Sequence, residues 1–258
     1  MSMLAPQLGE DAGLHFDSLP PLSLYVHLPW CVRKCPYCDF NSHAVPAGGI
    51  AEQAYVTALQ RDLEHAATGA AGREIVSVFF GGGTPSLFSP AAIGRVLEHA
   101  RTLLPFAADV EITLEANPGT VEHGRFSEYA AAGVNRVSLG AQSFDDERLA
   151  VLGRIHGAND TARAVDELRA AGIDNFNLDL MYALPGQDLR GALADLERAI
   201  ELGPTHLSHY QLTLEPGTAF ERRPPPLPDE DSAFAMQVAC QARLAAAGFN
   251  QYEVSAYA

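Results

Sequence analysis

Along the chain, short apolar runs rich in β-branched residues alternate with longer stretches in which apolar positions recur every three or four residues. Short runs bounded by turn residues read as strands, and the three-to-four period reads as amphipathic helix. The strands predicted in this way are Leu22–Leu28, Ile75–Phe80, Val110–Leu114, Arg136–Leu139, Phe176–Leu180 and His206–Leu214. Between them the pattern predicts helices over Ile50–Ala67, Pro90–Leu103, Glu122–Ala132, Asp160–Ala171 and Asp188–Leu202. A later helix is expected from about Asp231 to Ala247, and a short strand over Gln251–Val254. Strand and helix alternating about every 30 residues give βαβ units, and therefore a parallel sheet. Such a series fits either an open doubly wound sheet or a barrel. The proline-rich stretch at residues 223–229, RPPPLPD, reads as a surface loop.

Each predicted strand runs directly into a cluster of Gly, Pro, Cys or polar residues: PWCVRKCPYCDF, GGGTPS, EANPG, GAQSF, DLMYALPG and LTLEPGT. In a parallel α/β barrel the active site is assembled at the C-terminal ends of the strands. Turn chemistry alone accounts for GGG and PG. It does not account for the repeated Glu, Gln, Asp and Cys, so the clusters predict one shared site.

Composition narrows the function. A chain of 258 residues with 47% hydrophobic content can bury one substantial core. Its net charge of −15 repels a phosphate backbone, which argues against nucleic acid as a partner and leaves peripheral membrane contact open. Asp, Glu and Pro interrupt residues 1–20, which read as a loose leader and not as a signal peptide. Residues 21–258 are then expected to form one domain, in the cytoplasm. Four cysteines in a reducing compartment are more naturally ligands or core thiols than disulfides.

Cys31, Cys35 and Cys38 have the spacing C-x3-C-x2-C in the loop after the first strand. Three close thiolates can each bind one iron of a cubane, leaving the fourth iron open to an exchangeable ligand. Arg33 and Lys34 lie between them, and their charge favours thiolates. A structural zinc site using the three cysteines with His27 or His43 is the competing reading. Cys240 shares a helical face with Met236 and Leu244 and reads as a buried thiol. Asp179 lies inside the apolar run NLDLMY, where a carboxylate is unfavourable unless it is bound. Gly81–Gly83 with Thr84 suit either a tight turn or a close approach to a ligand. Tyr25 suits either a site or the core, and His206 and His209 read as structural.

The segment YVHLPWCVRKCPYCDF resembles the signature of the radical S-adenosylmethionine (SAM) superfamily. More narrowly, it resembles the family of haem chaperones and oxygen-independent coproporphyrinogen III oxidases, over about residues 22–258. The resemblance implies a partial (β/α)6 barrel, favouring the barrel over the doubly wound sheet. It implies a [4Fe–4S] cluster on Cys31, Cys35 and Cys38, whose open iron binds SAM and whose electron cleaves the cofactor to a 5′-deoxyadenosyl radical. It makes Gly82, Gly83 and Thr84 a cradle for the methionyl group, Glu115 the partner of its ammonium, and Arg154 the partner of its carboxylate. It assigns the ribose hydroxyls to Gln142 and Asp179, places Tyr25 near SAM, and brings the Tyr37 carbonyl to adenine. The oxidases in this family carry a further cysteine where this chain has Phe40. That difference, with PWC, CDFNSH and LPGQ, resembles the haem-chaperone branch. Haem or another tetrapyrrole, a haem-acceptor protein and an electron donor are therefore the implied partners. In the family the pattern continues beyond YEVSAYA into a His-Asn-x-x-Tyr-Trp motif and a C-terminal domain.

Overall fold

The computed structural model describes residues 19–70, 72–119 and 125–258. Most of the expected leader, and residues 122–124 of one expected helix, lie outside the described residues. Six parallel strands form the frame: β1 Leu22–Leu28, β2 Ile75–Gly82, β3 Phe106–Ala116, β4 Arg136–Gln142, β5 Phe176–Tyr182 and β6 His206–Gln211. Each pairs with its sequence neighbour. Two short strands, β7 Gln251–Glu253 and β8 Ala256–Tyr257, extend the sheet antiparallel beyond β6. The order is β1-β2-β3-β4-β5-β6-β8-β7, so β1 and β7 are edges and the curled sheet is a half-barrel. The partial barrel expected from the sequence is the observed fold.

Helices α1 Glu52–Ala70, α2 Pro90–Leu103, α3 Arg125–Ala131, α5 Ala158–Ala170 and α6 Leu189–Glu201 follow successive strands, and α8 Glu230–Ala246 follows β6. Two shorter helices, α4 Asp146–Val151 and α7 Ala219–Arg222, are not legible in the apolar pattern because they are too brief to show a period. Local chemistry sets the helix starts. Ser89 caps α2 by accepting from the Ala92 amide, and Pro90 occupies the first turn, where its missing N–H is not needed. Asp188 caps α6 and Asp229 caps α8 in the same way. The buried face of α2 carries Ile93, Val96 and Leu97, each contributing about 1.5–3 kcal/mol by leaving water. The strand expected over His206–Leu214 stops at Gln211: the Leu212 amide makes the last ladder bond, to the Tyr182 carbonyl, and a Pro-Gly turn follows.

The two faces of the sheet differ in character. Leu178, Leu180, Val137, Leu139, Ile112 and Leu114 are buried in the main core cluster. The alternate positions face inward and are mostly polar. There Ser77 bonds Ser23, and Asn177 bonds Ser138, Asp179 and Ser208. Parallel strands covered on both sides normally read as continuous apolar runs. The alternation here means that this barrel interior is not packed with hydrocarbon. Among the described residues, no helix is long and apolar enough to cross a membrane.

Candidate functional site

The six strand-end clusters meet around one cavity of about 430 Å³. Every sequence-predicted site residue except Tyr25 lines it: Cys31, Cys35, Cys38, Gly82, Gly83, Thr84, Glu115, Gln142, Arg154 and Asp179. Tyr25 lies beside it on the inner face of β1, 57% exposed and stacked on Phe79 at 6.2 Å. Its hydroxyl is 3.1 Å from His27 Nδ1, while His27 Nε2 is 2.9 Å from the Asn41 carbonyl. Both His27 nitrogens are thus engaged, which leaves this histidine poorly placed to complete a zinc site.

The cysteine loop is held from several sides. The Gly83 and Thr84 amides donate to the Leu28 and Trp30 carbonyls at 2.9 and 2.7 Å. A Cβ on Gly83 would sit 2.6 Å from the Trp30 carbonyl oxygen, so only glycine lets the loop lie this close to the end of β2. Gly82 adopts φ 121°, a conformation other residues avoid, and its amide donates to Glu115 Oε2 at 3.1 Å. These three amides are therefore occupied within the protein. A ligand's donors would meet the carbonyl side of the GGGT turn. Lys34 Nζ ties the loop to itself through the Phe40 and Ser42 carbonyls at 2.9 and 3.1 Å. On the far side, the Phe220 amide of α7 donates to the Pro36 carbonyl at 3.0 Å. Cys31, Cys35 and Cys38 are free thiols, half-buried on one wall. Among the described residues, no three His, Cys, Asp or Glu side chains converge as they would on a single metal ion. A cubane makes no such demand, because each thiolate binds a different iron.

Arg154 reaches in between β4 and this loop. Its Nη2 donates to the Gly140 carbonyl at 2.6 Å and its Nη1 lies 3.7 Å from Cys35 Sγ, while its buried Nε has no hydrogen-bond partner. Arg33 also lines the cavity. Of the carboxylates that line the cavity, Glu115 and Asp179 are the desolvated ones. Burial, and then the charge of Asp179, push the Glu115 carboxyl up to about 7, against the lowering effect of the Gly82 amide. Burial likewise raises Asp179, opposed by hydrogen bonds from Ser208, Asn177 and Ser138. The Asn177 bond to Asp179 Oδ1 is 2.8 Å and the Ser138 bond to Oδ2 is 3.2 Å. A cavity carrying guanidinium groups and desolvated carboxylates suits a ligand that bears both a carboxylate and an ammonium, and the unpaired Nε of Arg154 is a donor waiting for an acceptor. Three thiols on the same wall can hold an iron–sulfur cluster next to that ligand. The residues present fit a cluster with an amino-acid-bearing cofactor.

Gln142 closes β4 in the left-handed region, with φ 66°, where the register against β5 shifts between Gly140 and Gln142. Such bulges and strained residues recur at functional sites. Tyr210 on β6 donates its hydroxyl to Gln142 Oε1 at 2.7 Å. Tyr210, Ser138 and Asn117 also line the cavity, and none was singled out by the sequence pattern. Ser138 and Tyr210 were legible only as inward positions of alternating strands. His156, two residues after Arg154, holds that loop down: its Nε2 lies 3.0 Å from the Ala141 carbonyl and its Nδ1 3.1 Å from Asn117 Oδ1. Burial, with Arg154 nearby, lowers it to about 4, so it is neutral.

Some residues in the strand-end clusters serve the scaffold. Ser143, Phe144 and Gln187, from GAQSF and LPGQ, all bond Asp195 of α6, at 2.8, 2.8 and 3.1 Å. Cys240 is fully buried in the core, where desolvation pushes its thiol up to about 11. His209 is buried against Tyr182 on the helix side, and His206 bonds Thr205 Oγ1 at 3.0 Å. Phe40, 62% exposed, lines the cavity mouth.

With this geometry established, comparison with known proteins is informative. The family model of the radical SAM superfamily matches residues 25–199. The chain is 55% identical over 240 residues to the heme chaperone HemW of Escherichia coli, covering 93% of this chain and 63% of that protein. It is 52% identical over 244 residues to the heme chaperone HemW of Haemophilus influenzae, with the same coverage, 93% and 63%. Among solved structures it is similar to coproporphyrinogen III oxidase (HemN) from Escherichia coli, with TM-score 0.84 and 30% identity, over 92% of this chain and 55% of that one. The chain thus spans 63% of the length of these two curated relatives.

Proposed function

This chain belongs to the radical SAM superfamily, and from that premise we propose that it is the core of a haem chaperone. Membership implies SAM and a [4Fe–4S] cluster. In this reading Cys31, Cys35 and Cys38 hold the cluster. Arg154 binds the carboxylate of SAM, Glu115 its amino group, and Gln142 and Asp179 its ribose. Gly82, Gly83 and Thr84 face the methionyl group with their carbonyls, and Tyr25 stands at the open side. The observation that carries the reading is the convergence of all six strand-end clusters on one cavity with three free thiols and an unpaired buried guanidinium nitrogen. When bound, the pair of cofactors supplies one-electron reduction and a carbon-centred radical; the protein binds, orients and shields them.

The choice of haem as cargo, and of acceptor proteins as its destination, is supported by the two relatives named heme chaperone HemW. A coproporphyrinogen III oxidase is the second reading, supported by the likeness to that solved enzyme. Phe40, where the oxidases have a cysteine, weighs toward the chaperone. We take residues 21–258 as one core domain, because the sheet order is continuous from β1 to β7. A cytoplasmic setting follows from the reducing conditions that free thiols and an iron–sulfur cluster need. The electron donor must be a one-electron carrier.

The test is anaerobic reconstitution of the chain with iron and sulfide. Iron and sulfide should bind with broad visible absorption, and Cys31→Ala should abolish this while Cys240→Ala leaves it. Haem offered to the reconstituted protein should bind and pass to an apo-acceptor. Coproporphyrinogen III offered with SAM and reductant should not be turned over. Multiple turnovers dependent on Cys35, with release of CO2, would establish the oxidase instead.

A further inference from the structure

Among the described residues, the buried polar atoms without a hydrogen-bond partner include Arg154 Nε, to which the SAM reading gives an acceptor, and Ser42 Oγ, to which it gives none. Ser42 is 3% exposed, although Asp39, Phe40, Asn41, His43 and Ala44 around it are all exposed. The chain therefore turns one small polar side chain inward in the middle of an outward-facing stretch. Backbone and lysine bonds hold it there. The Ser42 amide donates to the Phe40 carbonyl at 2.7 Å, Lys34 Nζ donates to the Phe40 and Ser42 carbonyls, and His43–Ala44 pairs in parallel with Trp30–Cys31. Burying a hydroxyl without a partner is unfavourable, so the inward turn asks for an acceptor. The neighbour that Ser42 acts on is Cys38. Burial raises the Cys38 thiol, and the Phe40 amide and then the Ser42 hydroxyl oppose that rise. A neutral thiol is a weak acceptor, whereas a thiolate bound to iron carries negative charge and accepts well. The orphan hydroxyl thus suits the sulfur of an iron-bound Cys38 better than that of a free cysteine.

We propose that Ser42 is a positioning residue for the cluster: its hydroxyl, together with the Phe40 amide, donates to the Cys38 sulfur once that sulfur binds iron, and so makes the cluster easier to reduce. One-electron reduction adds negative charge that is spread over iron and sulfur. A donor at the sulfur stabilises the more negative state more, which raises the reduction potential. Cys35 has its own donor in Arg154 Nη1 at 3.7 Å, so the two sulfurs are served by different parts of the chain. The inference rests on the cluster reading of the cavity and deepens it, by naming a residue that sets how readily the electron enters.

The experiment reconstitutes the 258-residue chain and its Ser42→Ala variant with iron and sulfide, without SAM. Both should load alike. Poised at one fixed potential with a one-electron mediator, Ser42→Ala should show a ratio of reduced to oxidised cluster about three- to tenfold below that of the wild type, the range for one net hydrogen bond. Electron paramagnetic resonance reads the ratio. Resonance Raman should show an Fe–Sγ stretch moved to higher frequency, because a sulfur relieved of its donor gives more charge to iron. Before iron is added, Ser42→Ala should be no less stable to urea than the wild type, since the hydroxyl it loses has no partner there. A hydroxyl that merely supported the fold would give the reverse, a loss of stability with the ratio unchanged, and that result would overturn the inference. Ser42→Thr and Ser42→Val share one shape, and only the threonine variant keeps a hydroxyl, so it should be the more readily reduced of the two by the same factor. This pair decides if Ser42→Ala does not load. Equal ratios within either comparison would also overturn the inference. So would a changed ratio with every Fe–Sγ stretch unmoved, which would put the hydroxyl on an inorganic sulfide and not on Cys38. A wild type that binds no cluster would instead sink the cluster reading beneath it.

Discussion

Glu115 shows how much one buried residue can report. Its carboxyl is pushed up to about 7 by burial and by Asp179, so near neutrality it is only partly ionised. A ligand cation draws on the charged form alone. The ratio of wild-type to Glu115→Gln affinity for SAM should therefore climb as pH rises through about 7, and level off above it. Titration of SAM itself cancels in the ratio. A ratio flat across that range would remove Glu115 from the ammonium site. Arg154→Ala and Asp179→Ala remove charge-assisted hydrogen bonds worth roughly 1.5–3 kcal/mol, so each should weaken SAM about ten- to a hundredfold. Iron content should survive both changes, although Arg154 Nη1 lies 3.7 Å from Cys35 Sγ, so iron must be measured alongside. Asp179→Ala also strips the acceptor from Ser138 and Asn177, and should lower the melting temperature where Arg154→Ala need not.

Among the elements, the most exacting junction is that between the end of β2 and the cysteine loop. A Cβ at Gly83 would meet backbone atoms of Trp30 and Pro29 at 2.6 to 2.9 Å, and backbone cannot swing aside as a long side chain can. Gly83→Ala should then displace the loop, reduce iron loading and destabilise by about 1–3 kcal/mol, the usual range for overpacking. Gly94, inside α2, provides the contrast. Its nearest neighbour to a new Cβ is Ala132 Cβ at 3.7 Å, an ordinary contact. Gly94→Ala should stabilise by about 0.5–1 kcal/mol through helix propensity, with iron loading unchanged. Urea denaturation and iron assay on the two variants check both expectations. Loading equal in the two would show that the close approach at Gly83 is not needed to place the thiolates.

For the whole molecule, the half-barrel buries ionisable groups on both faces of the sheet, and their effects on stability run in opposite directions with pH. His209, on the helix side, is lowered by burial to about 4. Between about pH 6.5 and 4 the unfolded chain binds a proton that folded His209 refuses, so its stabilising effect is full above that window and is lost as pH falls. Glu115 behaves inversely. With its folded value raised to about 7, its effect is present in acid and fades as pH rises between about 4.5 and 7. The two partly cancel, so single variants are the clean test. His209→Phe should keep its packing on Tyr182, and should gain on the wild type by roughly 2 kcal/mol between about pH 7.5 and 5 in urea unfolding. No change in the difference between those pH values would mean that His209 titrates normally in the fold.

Periodicity was enough to find the six strands and the longer helices, because a core-facing stripe must repeat with the geometry of the element that carries it. Spacing was enough to single out Cys31, Cys35 and Cys38, since a cluster's size limits how far apart its local ligands can be. The strand-to-helix alternation also placed the polar clusters at one end of a parallel sheet, which is why Gly82, Glu115, Gln142 and Asp179 could be read as one site before their positions were known, whereas Arg154, outside those clusters, was reached only through the family resemblance. Only the tertiary structure separated Ser143, Phe144 and Gln187, which tie to Asp195, from their neighbours that face the cavity. Only it set Tyr25 beside the cavity, occupied the Gly83 and Thr84 amides with the cysteine loop, and brought Tyr210, 68 residues away in sequence, onto Gln142. A pattern along the chain records which way a strand turns its side chains. Which partner each side chain meets depends on strand register and on one-residue bulges, such as that at Gly140–Gln142, and these are set by packing between segments distant in sequence.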